Sequence, residues 1–138
     1  MPLHVEIVSP ERVLYSGEGD MVVARAESGD IAFLPGHAPY IGALGVAAVR
    51  VLLPQDGEQA AAVHGGFVNV SNDRVIVLSD VAELPEQIDV ERAKAAEARA
   101  REALKADEGD AEAKAALARA QVRLQVAGAE PSGGGAHH

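Results

Sequence analysis

The sequence predicts a β + α protein: an N-terminal antiparallel β-sandwich followed by a C-terminal antiparallel two-helix hairpin. In residues 1–84, short runs of Val and Ile are separated by turn residues, with no helical pattern between them. In contrast, fifteen alanines crowd into residues 93–129, where helix formation is favoured. We therefore expect a sandwich domain over residues 1–84, a helical hairpin over 85–128 and a disordered tail over 129–138.

The first strand is indicated by Leu3, Val5 and Ile7, which alternate with His4 and Glu6 in the period of a half-buried strand. Further candidate strands lie between turns rich in Gly, Pro, Asn and Asp. They cover residues 13–15, 20–26, 31–34, 40–44, 47–52, 59–64, 67–71 and 74–78. Nine or ten closely spaced strands without an intervening helix are typical of a sandwich or a flattened barrel.

Two helices are predicted beyond Pro85. Asp89 is a good N-cap for a first helix over residues 90–106, which contain neither Gly nor Pro. Asp110 caps a second helix from about residue 111 to 127, with Gly128 at its C-terminal end. Because the connection between them is short, the helices should be antiparallel neighbours.

The predicted contact between the two helices consists mostly of alanine. Its members follow an alternating spacing of three and four residues. They are Ala93, Ala96, Ala100 and Ala103 on the first helix, with Ala113, Leu117, Ala120 and Leu124 on the second. At ~0.8 kcal/mol per buried carbon group, this contact contributes on the order of 5 kcal/mol before entropy is subtracted. We therefore expect a weakly held hairpin that can move.

Composition excludes several classes of function. A net charge of -9 and an aromatic content of 3% argue against nucleic acid as a partner. The chain has no cysteine, which excludes disulfides and zinc-thiolate sites. No signal peptide and no apolar stretch of roughly 20 residues is visible, so we expect a soluble chain that reaches a membrane only through partners.

The histidines indicate neither a metal site nor a catalytic site. His4, His37 and His64 lack the spacing of metal ligands, and no serine has the surroundings of a nucleophile. We interpret His64 as a histidine at the end of a strand. His37 lies in a turn between two prolines, where a rigid and exposed ring could contact a partner.

Four arginines are predicted to lie on one side of the hairpin. Arg92 and Arg99 are seven residues apart, and Arg119 and Arg123 are four apart, so each pair shares a helix face. A turn near residue 108 would place Arg99 opposite Arg119 and Arg92 opposite Arg123. Two interpretations remain open at this point: a solvated helix face, or a site for a polyphosphate.

Three motifs, occurring in this order, resemble one known family. They are Pro-Gly-His at residues 35–37, Gly-Gly-Phe at 65–67 and Ile-Asp-x-x-Arg-Ala at 88–93. With them, the sequence resembles the epsilon subunit of bacterial F-type ATP synthase, the counterpart of the mitochondrial delta subunit. The resemblance covers nearly the whole chain.

The resemblance implies a ten-stranded sandwich joined to a two-helix hairpin. It implies a non-catalytic rotor subunit of the central stalk that binds gamma and the ring of c subunits and couples proton flow to ATP synthesis. The hairpin would inhibit ATP hydrolysis when extended towards the alpha and beta subunits. The expected location is peripheral, at the cytoplasmic face of the bacterial cell membrane. The alternative is a stand-alone ATP-sensing or adaptor protein with the same fold.

The resemblance also implies two sets of site residues. Asp30 and His37 would contact the c-ring. No cofactor is required, but ATP is a candidate regulatory ligand of the folded hairpin. Its site would map onto Glu83, Asp89, Arg92, Arg99, Arg119 and Arg123.

Overall fold

Strands occupy the first two thirds of the chain and helices the last third. The computed structural model describes residues 2–26 and 29–128. The strands are β1 (Leu3–Ser9), β2 (Arg12–Gly19), β3 (Met21–Ala26), β4 (Gly29–Phe33), β5 (Tyr40–Leu52), β6 (Glu58–Ser71), β7 (Arg74–Leu78) and β8 (Ala82–Glu83). A turn of 3-10 helix at Pro85–Gln87 leads into α1 (Val90–Ala106) and α2 (Ala111–Val126). The predicted fold class is confirmed, whereas the predicted tail of residues 129–138 lies outside the described residues.

The described residues form eight strands, not the nine or ten predicted from the pattern or the ten implied by the resemblance. Four predicted strands are joined into two: residues 40–44 and 47–52 form β5, and residues 59–64 and 67–71 form β6. Gly65 and Gly66 have φ values of 90° and 131°, which glycine adopts readily, and pairing with β5 at His64 and at Gly66 keeps β6 a single strand. The two-residue strand β8 is too short to leave a pattern in the sequence.

The strands follow the order β2-β1-β7-β6-β5-β3-β4, with β8 paired to β6. All pairs are antiparallel except β1 with β7, where Val5 lies beside Val75 in a parallel register. The prediction of an antiparallel sandwich did not include this one parallel pair. A parallel pair needs a long crossover, which the chain between β1 and β7 supplies. The N-terminal half of β6 pairs with β8, while its C-terminal half pairs with β7.

The main core is aliphatic and lies between the strands. Leu3, Val5 and Ile7 on β1 are fully buried, as the alternation predicts, and Phe33 on β4 packs in the same cluster. Every buried residue of this cluster belongs to a strand. The sandwich core is therefore complete without the helices.

The hairpin lies on the sandwich through α2, which packs against β5 and β6. A second, smaller cluster joins Val122 and Val126 of α2 to Ala62 of β6 and to Ile88. Because alanine side chains are short, this contact brings the helix close to the strands while burying little apolar area.

The predicted contact between the helices is present. Its residues Ala93, Ala100, Ala113, Ala120 and Leu124 are buried, whereas its other three members are partly buried. The sequence interpretation missed Glu97, which is buried on α1 and accepts a hydrogen bond from Arg101 at 3.3 Å.

Candidate functional site

A cleft of about 390 Å³ opens where the sandwich meets the hairpin. Residues that precede α1 line one side, and residues of both helices line the other. They are Glu83, Gln87, Asp89, Arg92, Ala93, Ala96, Arg99 and Arg123. Five of the six residues predicted for a regulatory ligand therefore share one cleft.

Arg119 is the predicted site residue that does not line this cleft. It lies one helical turn before Arg123 on α2, and its positive charge acts on the ring of His64. The four arginines of the predicted set thus divide: Arg92, Arg99 and Arg123 line the cleft, whereas Arg119 on α2 acts on His64 of the sandwich.

Glu83, His64 and Arg123 form a cluster of polar side chains, which we call the Glu83 cluster. The carboxylate of Glu83 is at its centre. Arg123 Nε donates to Glu83 Oε1 at 2.7 Å, and His64 Nε2 lies 3.1 Å from the same oxygen. A carboxylate only accepts here, so the proton of the neutral ring is on Nε2. The three residues come from β8, β6 and α2, so the cluster ties the hairpin to the sandwich.

The ring of His64 is held in its neutral form. Its side chain is only 4% exposed, and this burial lowers the pKa of His64. The charges of Arg123 and Arg119 lower the pKa further, while the hydrogen bond and the negative charge of Glu83 oppose them. Nδ1 is buried and has no hydrogen-bond partner within the described part of the chain.

Sequence reasoning treated His64 as a plain strand residue and assigned Glu83 and Arg123 without it. Glu83 lies 19 positions from His64 and 40 positions from Arg123 along the chain. Local spacing cannot connect such positions. The pairing of β8 with β6 carries Glu83 to this place, and β8 leaves no recognisable pattern.

The cleft is suited to an anion that carries several charges. Arg92 and Arg99 are exposed on α1, and Arg123 is partly buried on α2. The N-terminal end of α1 adds its positive partial charge. Asp89 already accepts the backbone N–H of Arg92 at 3.1 Å as the N-cap, so this carboxylate shapes the site by fixing the start of the helix.

The two residues predicted to contact a c-ring have different surroundings. Asp30 on β4 accepts a hydrogen bond from Arg25 Nε at 2.9 Å, and this guanidinium lowers the pKa of the carboxyl group. His37 follows β4 in a loop, with its ring edge-on to Phe33 at 5.1 Å. The backbone N–H of Gly36 donates to Asp73 at 2.7 Å, which fixes this loop to the β6–β7 turn.

An apolar patch, formed by Ile41, Phe67 and Leu78, lies on the outer face of the sandwich. Their exposed fractions are 73%, 57% and 47%. Phe67 and Leu78 are directly opposite each other on β6 and β7, so their side chains point to the same side. The sequence interpretation missed this patch, because alternation alone does not tell which apolar residues face outwards.

Neither a metal centre nor a membrane span is found in the described ranges. No group of three or more His, Cys, Asp or Glu side chains there could hold a metal ion. Of the helices over residues 29–128, none combines the length and the apolar character that crossing a membrane requires.

The sandwich and the hairpin define the class: a small two-part protein in which a β-sandwich domain is followed by two antiparallel helices. The family described as "ATP synthase, Delta/Epsilon chain, beta-sandwich domain" matches residues 2–85. Its partner family, "ATP synthase, Delta/Epsilon chain, long alpha-helix domain", matches residues 86–128.

Individual relatives agree with this class. The chain is 52% identical to the ATP synthase epsilon chain of Thermobifida fusca, with 93% of each chain covered. It is 45% identical to the epsilon chain of Streptomyces griseus, covering 90% of this chain and 94% of the relative. A chain in the mitochondrial ATP synthase structure of Euglena gracilis has the same fold, with a TM-score of 0.68 at 19% identity, covering 92% and 78%.

The chain belongs to the ATP synthase delta/epsilon family and, with its bacterial relatives, to the epsilon subunits. This confirms the resemblance drawn from the three motifs. It also establishes the chain as a non-catalytic subunit of the ATP synthase complex.

Proposed function

We propose that this epsilon subunit turns with the central stalk of a proton-translocating F-type ATP synthase and that its hairpin regulates ATP hydrolysis. It binds gamma and the c-ring, couples ring rotation to ATP synthesis, and lies at the cytoplasmic face of a bacterial cell membrane. Similar folds occur in stalk and c-ring assemblies of mitochondrial ATP synthases, which supports an association with the central stalk and the c-ring.

The apolar patch supports binding to gamma. Ile41, Phe67 and Leu78 expose about half or more of their surface, and exposed apolar patches of this kind mark protein interfaces. We assign the contact with the c-ring to Asp30 and His37. The loop that carries His37 is fixed to the sandwich at Asp73, so it offers a rigid surface to the ring.

The observation that carries the regulatory proposal is the small contact between α2 and the sandwich. Val122 and Val126 meet mainly alanines, and the Glu83–Arg123 ion pair supplies the polar part. Such a contact can be broken without disturbing the strand core. We propose that the docked hairpin permits hydrolysis, whereas the released hairpin extends along gamma towards the alpha and beta subunits and blocks it.

ATP is the proposed regulatory ligand of the docked hairpin. Its phosphates suit the guanidinium groups of Arg92, Arg99 and Arg123, which line the cleft. We include Arg119 in the proposed site because it lies one helical turn before Arg123 on α2. A ligand that binds only the docked state stabilises it by about 1.4 kcal/mol at ten times its Kd. For a contact this small, that amount changes the docked population substantially.

Truncation tests the regulatory role. Removal of the chain after Leu84 keeps β8 paired to β6 and removes both helices. The complex with this variant should assemble, couple normally and hydrolyse ATP faster than the natural complex. Unchanged hydrolysis would contradict the inhibitory role. Recovery of the chain free of gamma and of membranes would instead favour the stand-alone alternative.

Titration calorimetry tests ATP binding by the full chain. Arg92→Ala and Arg123→Ala should each raise the Kd about tenfold or more, because each removes a charge-assisted contact to phosphate. Arg74→Ala is the matched control, since this exposed arginine lies on β7 outside the cleft. Absence of heat at millimolar ATP would exclude this ligand, whereas equal affinities in all three variants would exclude this site for it.

A further inference from the structure

We propose that His64 makes docking of the hairpin depend on pH: the neutral ring positions Glu83 for Arg123, and protonation of the ring releases α2 from the sandwich. The consequence for hydrolysis rests on the proposed function, because it needs a hairpin that moves. The docking equilibrium itself concerns only residues of this chain.

The geometry makes His64 a positioning residue. Its Nε2–H and the Nε–H of Arg123 donate to the same oxygen of Glu83, at 3.1 and 2.7 Å. The ring lies on the sandwich and the guanidinium on the hairpin, so the carboxylate is held from both sides of the contact. The backbone N–H of His64 also donates to Val81, which holds β6 next to the segment that leads into β8.

Charged groups from three directions face the ring. Arg119 and Arg123 belong to α2, Glu83 belongs to β8, and Asp80 borders the same surface pocket as His64 before β8. A second proton would go to Nδ1, which is buried without a partner in the described part of the chain. The docked state therefore disfavours the imidazolium, first through burial of the ring, then through its two positive neighbours and an unsatisfied N–H.

Release of α2 reverses this balance. Arg119 and Arg123 leave with the helix, water reaches the ring, and Glu83 stays beside it. The pKa of His64 then returns to or above its ordinary value of about 6.5, while it is lower in the docked state. Docking is therefore strongest at high pH. It weakens as the pH falls below the pKa of His64 in the released state, towards its lower pKa in the docked state. For each unit by which the pKa of His64 is lower in the docked state than in the released state, the equilibrium constant for docking changes about tenfold in total.

The full chain offers a direct test, because it contains no native cysteine. Spin labels on Glu108→Cys, at the hairpin turn, and Gln55→Cys, at the β5–β6 turn, report the distance between hairpin and sandwich. Between about pH 8 and about pH 5.5, without nucleotide, the docked fraction should fall several-fold. In His64→Gln, whose amide still donates to Glu83 but does not titrate, it should change less than twofold.

His4→Gln is the matched control, because His4 is an exposed histidine on β1 beside Glu6. Its docked fraction should fall with pH as in the natural chain. Equal pH dependence in the His64→Gln chain would overturn the proposal. If the His64→Gln chain fails to dock at about pH 8, NMR titration of the natural chain is the deciding measurement. A pKa of His64 at or above the ordinary value for histidine would overturn the proposal.

Hydrolysis measured at fixed alkaline pH separates this proposal from the proposed function. If truncation after Leu84 stimulates hydrolysis but acid leaves docking unchanged, only the role of His64 is wrong. If docking follows the protonation of His64 but truncation leaves hydrolysis unchanged, the pH-dependent contact stands and the inhibitory role is wrong.

Discussion

Glu83 links the hairpin to the sandwich, since one of its oxygens serves both Arg123 on α2 and His64 on β6. Glu83→Gln removes the charge and leaves the partly buried guanidinium without its anion. We expect it to weaken docking by about 1–2 kcal/mol. Hydrogen exchange of the α2 amides measures this change. Glu86→Gln, at an exposed position of the 3-10 turn, should leave exchange unaltered.

Gly66 is a second position where one residue decides the structure. Its φ of 131° is unfavourable for other residues, and an added Cβ would overlap the backbone carbonyl oxygen of Leu78. Gly66→Ala should lower the free energy of unfolding by about 2 kcal/mol or more. Gly45→Ala, with open space around the new methyl group, is the control for urea unfolding. Equal effects of both substitutions would contradict this explanation.

Residues that act locally were predictable, whereas those that act across the fold were not. Asp89 and Asp110 were identified as N-caps from sequence, and each accepts the expected backbone N–H, at 3.1 and 3.0 Å. The partners of Glu83 depend on the pairing of β8 with β6 and on the docking of α2. Neither contact has a signature in nearby residues, so His64 was interpreted as an ordinary strand residue.

At the scale of elements, the two helix caps allow a structural role to be separated from a binding role. Asp89→Ala and Asp110→Ala each remove one cap, so each should destabilise its helix by about 1 kcal/mol. Only Asp89 lines the cleft. We expect Asp89→Ala to raise the Kd for ATP severalfold and Asp110→Ala to leave it almost unchanged. Circular dichroism reports helix content, and calorimetry reports binding.

A loss of affinity that is equal in the two variants would mean that helix stability alone controls binding. It would mean that the start of α1, which Asp89 fixes, has no particular effect on the cleft.

The strands show what periodicity does and does not determine. Alternation located the buried faces of β1 correctly, because the period of two depends only on neighbouring residues. It divided β5 and β6 at their glycines, because Gly indicates a turn or a bend equally well in sequence. Cross-strand pairing keeps each strand continuous, and this information lies in the partner strand.

At the scale of the whole molecule, the two halves differ in how much they depend on each other. The main core is formed by strands alone, while the helices meet each other and the sandwich largely through alanine. The high content of alanine and the low content of aromatics thus predict a hairpin that binds loosely. The negative charge belongs mainly to the sandwich, because residues 1–84 contain eleven acidic residues and only four arginines.

This difference predicts that the sandwich folds without the hairpin, but the hairpin does not fold without the sandwich. Residues 1–84 keep every buried side chain of the main core and expose mostly the small side chains of β5 and β6 that α2 covered. Residues 85–128 keep only a mostly alanine contact between two helices of 17 and 16 residues, and most helical stability in proteins comes from packing against the rest of the fold. The separate sandwich should therefore show cooperative urea unfolding and dispersed amide signals by NMR. The separate hairpin should lose most of its helical circular dichroism signal. If it were stable on its own, the contact between the helices would be stronger than its buried area indicates.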